Sequence, residues 1–215
     1  MGLRVTAAAA AIGVALFAAS GASATTVITT YTGTVTDGGD SIFGADLTGD
    51  AFTAVFTADI SIPGEENKSG TLDEVVGGAS TPSLPSPSSA VITINGVSYF
   101  DSGFEDGTQE VTNFGIVSSA NDGTLDADIG VQTGAHFALF KDLATPFTYA
   151  PVSGDDGFGL IDNAADATGR IDLDTTSVTV ALAAPEPATW ALMLLGVSGL
   201  GAALRTRRAL RPARA

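Results

Sequence analysis

Residues 51–60 read AFTAVFTADI, and their order has a period of two. Phe52, Ala54, Phe56, Ala58 and Ile60 fall on one side of an extended chain, while Thr53, Val55, Thr57 and Asp59 fall on the other. A helix would need apolar residues three and four apart, so this alternation identifies a β-strand. Residues 27–36, VITTYTGTVT, alternate likewise: Val27, Thr29, Tyr31, Gly33 and Val35 share one face, and Ile28 with four threonines shares the other. Such β-branched, half-polar composition suits a half-exposed strand. In residues 91–100, VITINGVSYF, Asn95-Gly96 stands between two apolar runs, which predicts a hairpin closed by a type I′ turn.

The pattern continues outward from these three runs. Further strands are expected at Val111–Ser118, Asp128–Phe140, Gly169–Asp174 and Ser177–Leu182. A short helical turn near Leu72–Val76 is the one departure from β patterning between Thr25 and Ala184. Gly, Asp and Asn clusters separate the strands, so the fold class is all-β: an antiparallel β-sandwich of jelly-roll or immunoglobulin-like style, with a barrel as the alternative. The stretch STPSLPSPSS, Ser80–Ser89, reads as an exposed, proline-stiffened loop within this domain, because strands of one character flank it. No internal repeat is evident.

Charge is distributed unevenly along the 215 residues, whose formal net charge is -15. Thr25–Ala184 holds 23 acids against only Lys68, Lys141 and Arg170, a balance of -20. A surface of that sign repels nucleic acid and anionic membrane, and attracts multivalent cations or basic partners. There is no cysteine, which rules out disulfides, a thiol nucleophile and thiolate metal ligation.

The two ends have a different character. Arg4, an apolar run from Val5 to Ala19 and the small residues Ala22-Ser23-Ala24 make residues 1–24 a secretory signal peptide, with Ala22 and Ala24 framing cleavage after Ala24. The 17 residues Ala188–Leu204 carry no charge and are just long enough for a single transmembrane helix. Trp190 sits at its outer end, and Arg205, Arg207 and Arg208 follow as a cytoplasmic stop, within an Arg-rich tail at 205–215. Between domain and helix stands Pro185-Glu186-Pro187, a stiff extended tripeptide, since each proline fixes its own φ and Pro187 turns Glu186 away from helix. The expected organisation is thus a signal peptide at 1–24, an exported acidic β domain at 25–184 and a C-terminal signal and anchor at 185–215.

Pro185-Glu186-Pro187, the short apolar helix and the Arg-rich terminus, in a chain with a signal peptide, resemble the PEP-CTERM sorting signal of Gram-negative bacteria. The resemblance implies recognition by exosortase, an integral-membrane enzyme with a cysteine-protease-like site, which cleaves near the motif and passes the protein to the cell surface or extracellular matrix. The sortase signal of Gram-positive bacteria has a similar helix and tail, but no LPxTG motif precedes this one. The YTGTV, LTGDAFTAVFTADI and VTVALAA stretches are similar to those of many PEP-CTERM ectodomains, a likeness that implies fold and location but no reaction.

Chemistry is harder to find. His136, the only histidine, shares a strand face with Gln132 and Gly134 and is expected to be exposed; no serine near it lies in a nucleophile-elbow context. A polysaccharide hydrolase needs two carboxylates, about 5 to 10 Å apart, and nothing in the sequence singles out a pair. No catalytic residue and no required cofactor are therefore assigned. Calcium is the one ligand the loops suit: Asp122, Asp126 and Asp128 follow Asn121 at near-alternate positions, and Asp155-Asp156-Gly157 forms a second cluster. Neither cluster matches the EF-hand loop, and Asp and Gly suit turns without any metal. The expectation is an exported, non-enzymatic, structural or adhesive protein of the cell surface or matrix. Its partners would be exosortase, transiently the inner membrane, and exopolysaccharide. The alternatives are a calcium- or exopolysaccharide-binding module, marked by aromatics clustered on one sheet face, and a hydrolase.

Overall fold

Alternation in the sequence becomes burial in the computed structural model of the chain, which describes residues 26–38, 43–60, 66–70, 72–79, 84–134, 142–163, 169–183 and 198. Phe52, Ala54, Phe56 and Ala58 are all buried, and so are Val27, Thr29, Tyr31 and Val35. The strands are β1 (Thr26–Asp37), β2 (Ala51–Asp59), β3 (Glu66–Ser69), β4 (Leu72–Gly77), β5 (Ser88–Ile94), β6 (Val97–Asp101), β7 (Asp106–Thr112), β8 (Gly115–Asn121), β9 (Leu125–Gln132), β10 (Phe147–Tyr149), β11 (Asp156–Asn163) and β12 (Ile171–Leu182). Among the described residues no helix is long and apolar enough to cross a membrane. The signal peptide, Pro185-Glu186-Pro187, the apolar stretch from Ala188 and the arginine tail lie outside the described residues, apart from Ser198.

All the described strands belong to one antiparallel sheet, in the order β3-β4-β7-β8-β9-β11-β12-β1-β2-β5-β6, with β10 paired to β12. The sheet curls into half a barrel: β5 comes against β7 and β8, β2 against β8, and β6 against β9. One buried cluster fills the concave side, with Tyr31, Phe56, Ile92 and Ile94 from one half and Ile116, Ile129, Ile161 and Ile171 from the other. The Tyr31 and Phe56 rings meet edge to face, centroids 5.8 Å apart, an arrangement that the aromatic quadrupole favours.

The two packed sheets expected of a jelly-roll or immunoglobulin-like sandwich are replaced by this single curled sheet. The reason lies in β1 and β12, each 12 residues long, which pair along their whole length and carry hydrogen bonding through the point where a sandwich would divide. Their register shifts between Thr32 and Gly33, where Thr176 is the extra residue on β12, and again between Val35 and Asp37. Such bulges bend a strand and increase its twist, which curls the sheet without breaking it. Gly33 permits the first bend, because a Cβ there would run into the Asp174 carbonyl.

Three local expectations change as well. Leu72–Val76 is strand β4, not a helical turn, and it is paired between β3 and β7. Val111–Ser118 is divided between β7 and β8 by a turn at Asn113-Phe114, whose Phe114 carbonyl accepts the Thr133 N–H at 2.7 Å. The runs at 169–174 and 177–182 form the single strand β12, their alternation interrupted at the Thr176 bulge. The Asn95-Gly96 hairpin is as expected: φ is 49° at Asn95 and 78° at Gly96, both left-handed as a type I′ turn requires.

Candidate functional site

Register decides where the acidic side chains gather. On β9 Asp126 stands opposite Asn121 of β8 on one side and Asp162 of β11 on the other, and Asn121 in turn faces Asp106 of β7. Glu74 and Glu110 are likewise directly opposed across β4 and β7. These positions alternate with the buried ones, so the convex face of the sheet is a carboxylate surface. Partial burial raises the carboxyl pKa values of Asp126, Asp128 and Glu110, and the neighbouring Asp162 and Glu74 push Asp126 and Glu110 further up. Like charges directly opposed in a ladder oppose folding.

The five aspartates expected to attract calcium fall in two places. Asp122 belongs to the turn from β8 to β9, where its Oδ1 accepts the N–H groups of Thr124 and Leu125, each at 2.9 Å. Asp126 and Asp128 follow on β9. Asp155 and Asp156 lie where β11 begins, Asp156 opposite Gln132, about 13 Å along the strand from Asp128 and about 20 Å from Asp126. Asp155 holds its own loop: Oδ1 accepts the Gly134 N–H at 3.1 Å, and Oδ2 accepts the Val152 N–H at 2.9 Å and the Tyr149 hydroxyl. Among the described residues no three His, Asp or Glu side chains are grouped to hold a metal ion. His136 lies outside the described residues.

A groove opens where the curled sheet brings its β6 edge back toward the β8–β9 turn. Its volume is about 510 Å³. Ser98, Tyr99 and Phe100 of β6 form one wall, and Asp122, Thr124 and Leu125 form the other, with Phe43 and Asn163 completing the lining. Phe43 is stacked on Tyr99, ring centroids 3.6 Å apart, while Phe100 is 65% exposed. The Glu105 N–H bonds the Asn121 carbonyl at 2.8 Å, tying the loop after β6 to the turn opposite. Beneath the β6 wall Asp101 is wholly buried; its Oδ1 accepts the Gly103 N–H at 2.8 Å, and its Oδ2 has no partner. Burial pushes this carboxyl up to about 7 against the pull of the Gly103 bond, and Asp122 and Asp126 raise it further.

A two-carboxylate hydrolysis needs an acid on each side of one cleft, and this lining holds only Asp122. A shallower depression of about 570 Å³ on the convex face is lined by Asp128, Asp156, Asp172 and Asp174, with the Arg170 Nε donating to Asp172 at 2.7 Å. Sequence reading missed the groove because its aromatics come from separate places: Tyr99 and Phe100 after the hairpin turn, and Phe43 from a Gly- and Asp-rich loop.

Residues 183–208 match the family model of the PEP-CTERM protein-sorting motif. The chain carries a PEP-CTERM protein-sorting motif. The matched range takes in Pro185, Glu186 and Pro187, then Trp190, and ends with Arg205, Arg207 and Arg208. No curated protein and no solved structure matches this PEP-CTERM chain. The motif implies exosortase-dependent sorting of an exported protein, with processing at the membrane before an extracellular destination. It begins at Ala183, the residue after β12 ends at Leu182.

Proposed function

We propose that this protein is a non-enzymatic structural or adhesive component of the cell surface or extracellular matrix. It is exported behind a signal peptide, held briefly in the inner membrane by its C-terminal apolar stretch and released by exosortase. The observation that carries this reading is the sorting motif at 183–208, placed directly after an acidic all-β domain. An extended Pro185-Glu186-Pro187 backbone enters a protease groove without unwinding, and Glu186 offers a lone charge for a basic pocket. Glu186→Ala is the test: export should persist while the protein accumulates in the inner membrane, and unaltered delivery to the surface would contradict the reading.

A second reading, an exopolysaccharide-binding module, is favoured by the groove at the β6 edge, where the stacked Phe43 and Tyr99 rings stand beside polar side chains.

A further inference from the structure

We infer that two copies of this chain pair antiparallel along the free edge of β6, with Tyr99 opposite its counterpart in the second copy across a two-fold axis. The contact goes beyond the sorting account and does not depend on it.

The sheet has two ends, and they are built differently. β3 is short and carries Glu66 and Lys68, the kind of charge that keeps a sheet edge from pairing. β6, at the other end, reads VSYFD; it has no proline and no basic residue, and its one acid, Asp101, is turned inward and buried. Register fixes which of its backbone groups are free. Ile94 and Val97 close the Asn95-Gly96 turn as a hydrogen-bonded pair, so Tyr99 is bonded to Ile92, while Ser98 and Phe100 point N–H and C=O away from β5. Among the described residues nothing bonds these outward groups. Ser98, Tyr99 and Phe100 line the groove in succession although neighbours on a strand face opposite sides. What they share is this edge, and the groove leaves it open.

Charge points to the occupant. On β4, β7, β9 and β11 the convex face carries Glu74, Glu110, Asp126 and Asp162. Across β1, β2, β5 and β6 the same face is neutral: Thr32, Thr53, Thr93 and Ser98 form one row, and Thr30, Val55, Val91 and Phe100 form the next. Besides Asp101, the charges of these four strands are Asp37 and Asp59, both at strand ends. A second copy, as acidic as the first, can therefore approach this half of the sheet without setting carboxylate against carboxylate. A basic partner would be drawn to the other half.

The edge is also complementary to itself. With Tyr99 on the axis, Ser98 of each copy faces Phe100 of the other, and each such pair exchanges two N–H···O=C bonds. The two Phe100 rings become diagonal neighbours, about 7–8 Å apart and within reach of one another. Phe100 is 65% exposed and Val91, paired beside it, is 40% exposed, so the contact covers apolar surface that one copy leaves in water. A two-fold contact closes on itself and yields a dimer rather than a fibre.

The test uses the full-length chain, purified in a mild detergent. Light scattering should give it the mass of two chains. The chain has no cysteine, so single cysteines report the register. With a copper oxidant, Tyr99→Cys should form a disulfide-linked dimer, because residues opposed in a non-hydrogen-bonded pair stand about 4.5 Å apart at Cα. Val97→Cys, which would lie opposite Asp101 and far from its counterpart, should not cross-link. Ser98→Pro deletes an outward N–H and leaves the β5 ladder intact, and Phe100→Glu sets two carboxylates together; each should weaken the dimer roughly tenfold or more. Phe114→Glu places the same charge on another exposed ring, on the β7–β8 turn, and should leave the dimer unchanged. Phe100 is exposed, so Phe100→Glu keeps the test open even if Ser98→Pro fails to fold. A monomeric parent, an assembly larger than two, equal dimerisation of all three variants, or cross-linking at Val97 as readily as at Tyr99 would overturn the proposal.

Discussion

The Tyr31 hydroxyl lies 2.8 Å from Ser118 Oγ, joining β1 to β8 through the interior of the curled sheet. Ser118 Oγ donates onward to Gln109 Oε1 at 2.7 Å, so the Tyr31 hydroxyl is the donor in the first bond. Gln109 Nε2 then reaches the Val117 carbonyl at 3.4 Å. All three side chains are buried, and burial holds the Tyr31 hydroxyl well above the usual tyrosine pKa. The chain of bonds is satisfied from end to end, which is the condition for buried polar groups to help specify one packing.

Removing either member of the first bond should therefore cost unequally. Ser118→Ala removes the principal acceptor of the buried Tyr31 hydroxyl and should destabilise by about 1–3 kcal/mol. Tyr31→Phe leaves Ser118 still bonded to Gln109 and should cost less, about 1 kcal/mol. Urea unfolding of both variants checks the order; a larger loss in Tyr31→Phe than in Ser118→Ala would contradict this assignment of donor and acceptor.

Asp101 gives a pH dependence with a definite sign. Its carboxyl is pushed up to about 7 in the folded protein, while an unfolded aspartate titrates near its ordinary value of about 4. Between those values the folded state binds more protons than the unfolded one, so this group's contribution falls as pH rises and is lost above about 7. Asp101→Asn removes the charge and with it that slope. Melting curves should show the variant more stable than the parent at pH 8 and close to it at pH 4. An equal difference at both pH values would show that Asp101 ionises freely, although Asp122 and Asp126 face it.

Added calcium should leave the melting temperature unchanged. Asp122 and Asp155 use carboxylate oxygens on backbone N–H groups around their own turns, and among the described residues no three carboxylates are grouped to hold an ion. An ion bound only by the folded state must raise the transition with concentration, by RT ln(1 + [L]/Kd). A rise with calcium and not with magnesium would show that these turns do assemble a site.

How much was legible in the sequence can be traced residue by residue. Phe52 to Ala58 and the Asn95-Gly96 turn were readable because each is decided locally, by a side-chain period of two and by the need for positive φ. Thr176 concealed the unity of β12, because one extra residue shifts the alternation from Leu173 and Thr175 to Val178 and Val180. β4 was obscured by the placing of Leu72, Val75 and Val76, helical in spacing, and by an inward-facing charge: Asp73 is buried, with the Lys68 ammonium 3.0 Å away and the Leu143 N–H at 2.9 Å. Whether the strands form one sheet or two depends on pairing between residues far apart in the chain, such as Val27 with Leu182, which no local pattern encodes. The groove is invisible for the same reason, since Phe43, Tyr99 and Asn163 meet only after the sheet has curled. The sorting motif was legible because its parts are contiguous.

The central claim is that residues 183–208 are a signal used and then removed. It is tested most directly by mass spectrometry of the C-terminus of the protein recovered from native cells, fraction by fraction. The inner-membrane fraction should contain the arginines from Arg205 to Arg214, and the surface fraction should end near Pro185-Glu186-Pro187. A surface form that still carried the arginine tail would contradict the account.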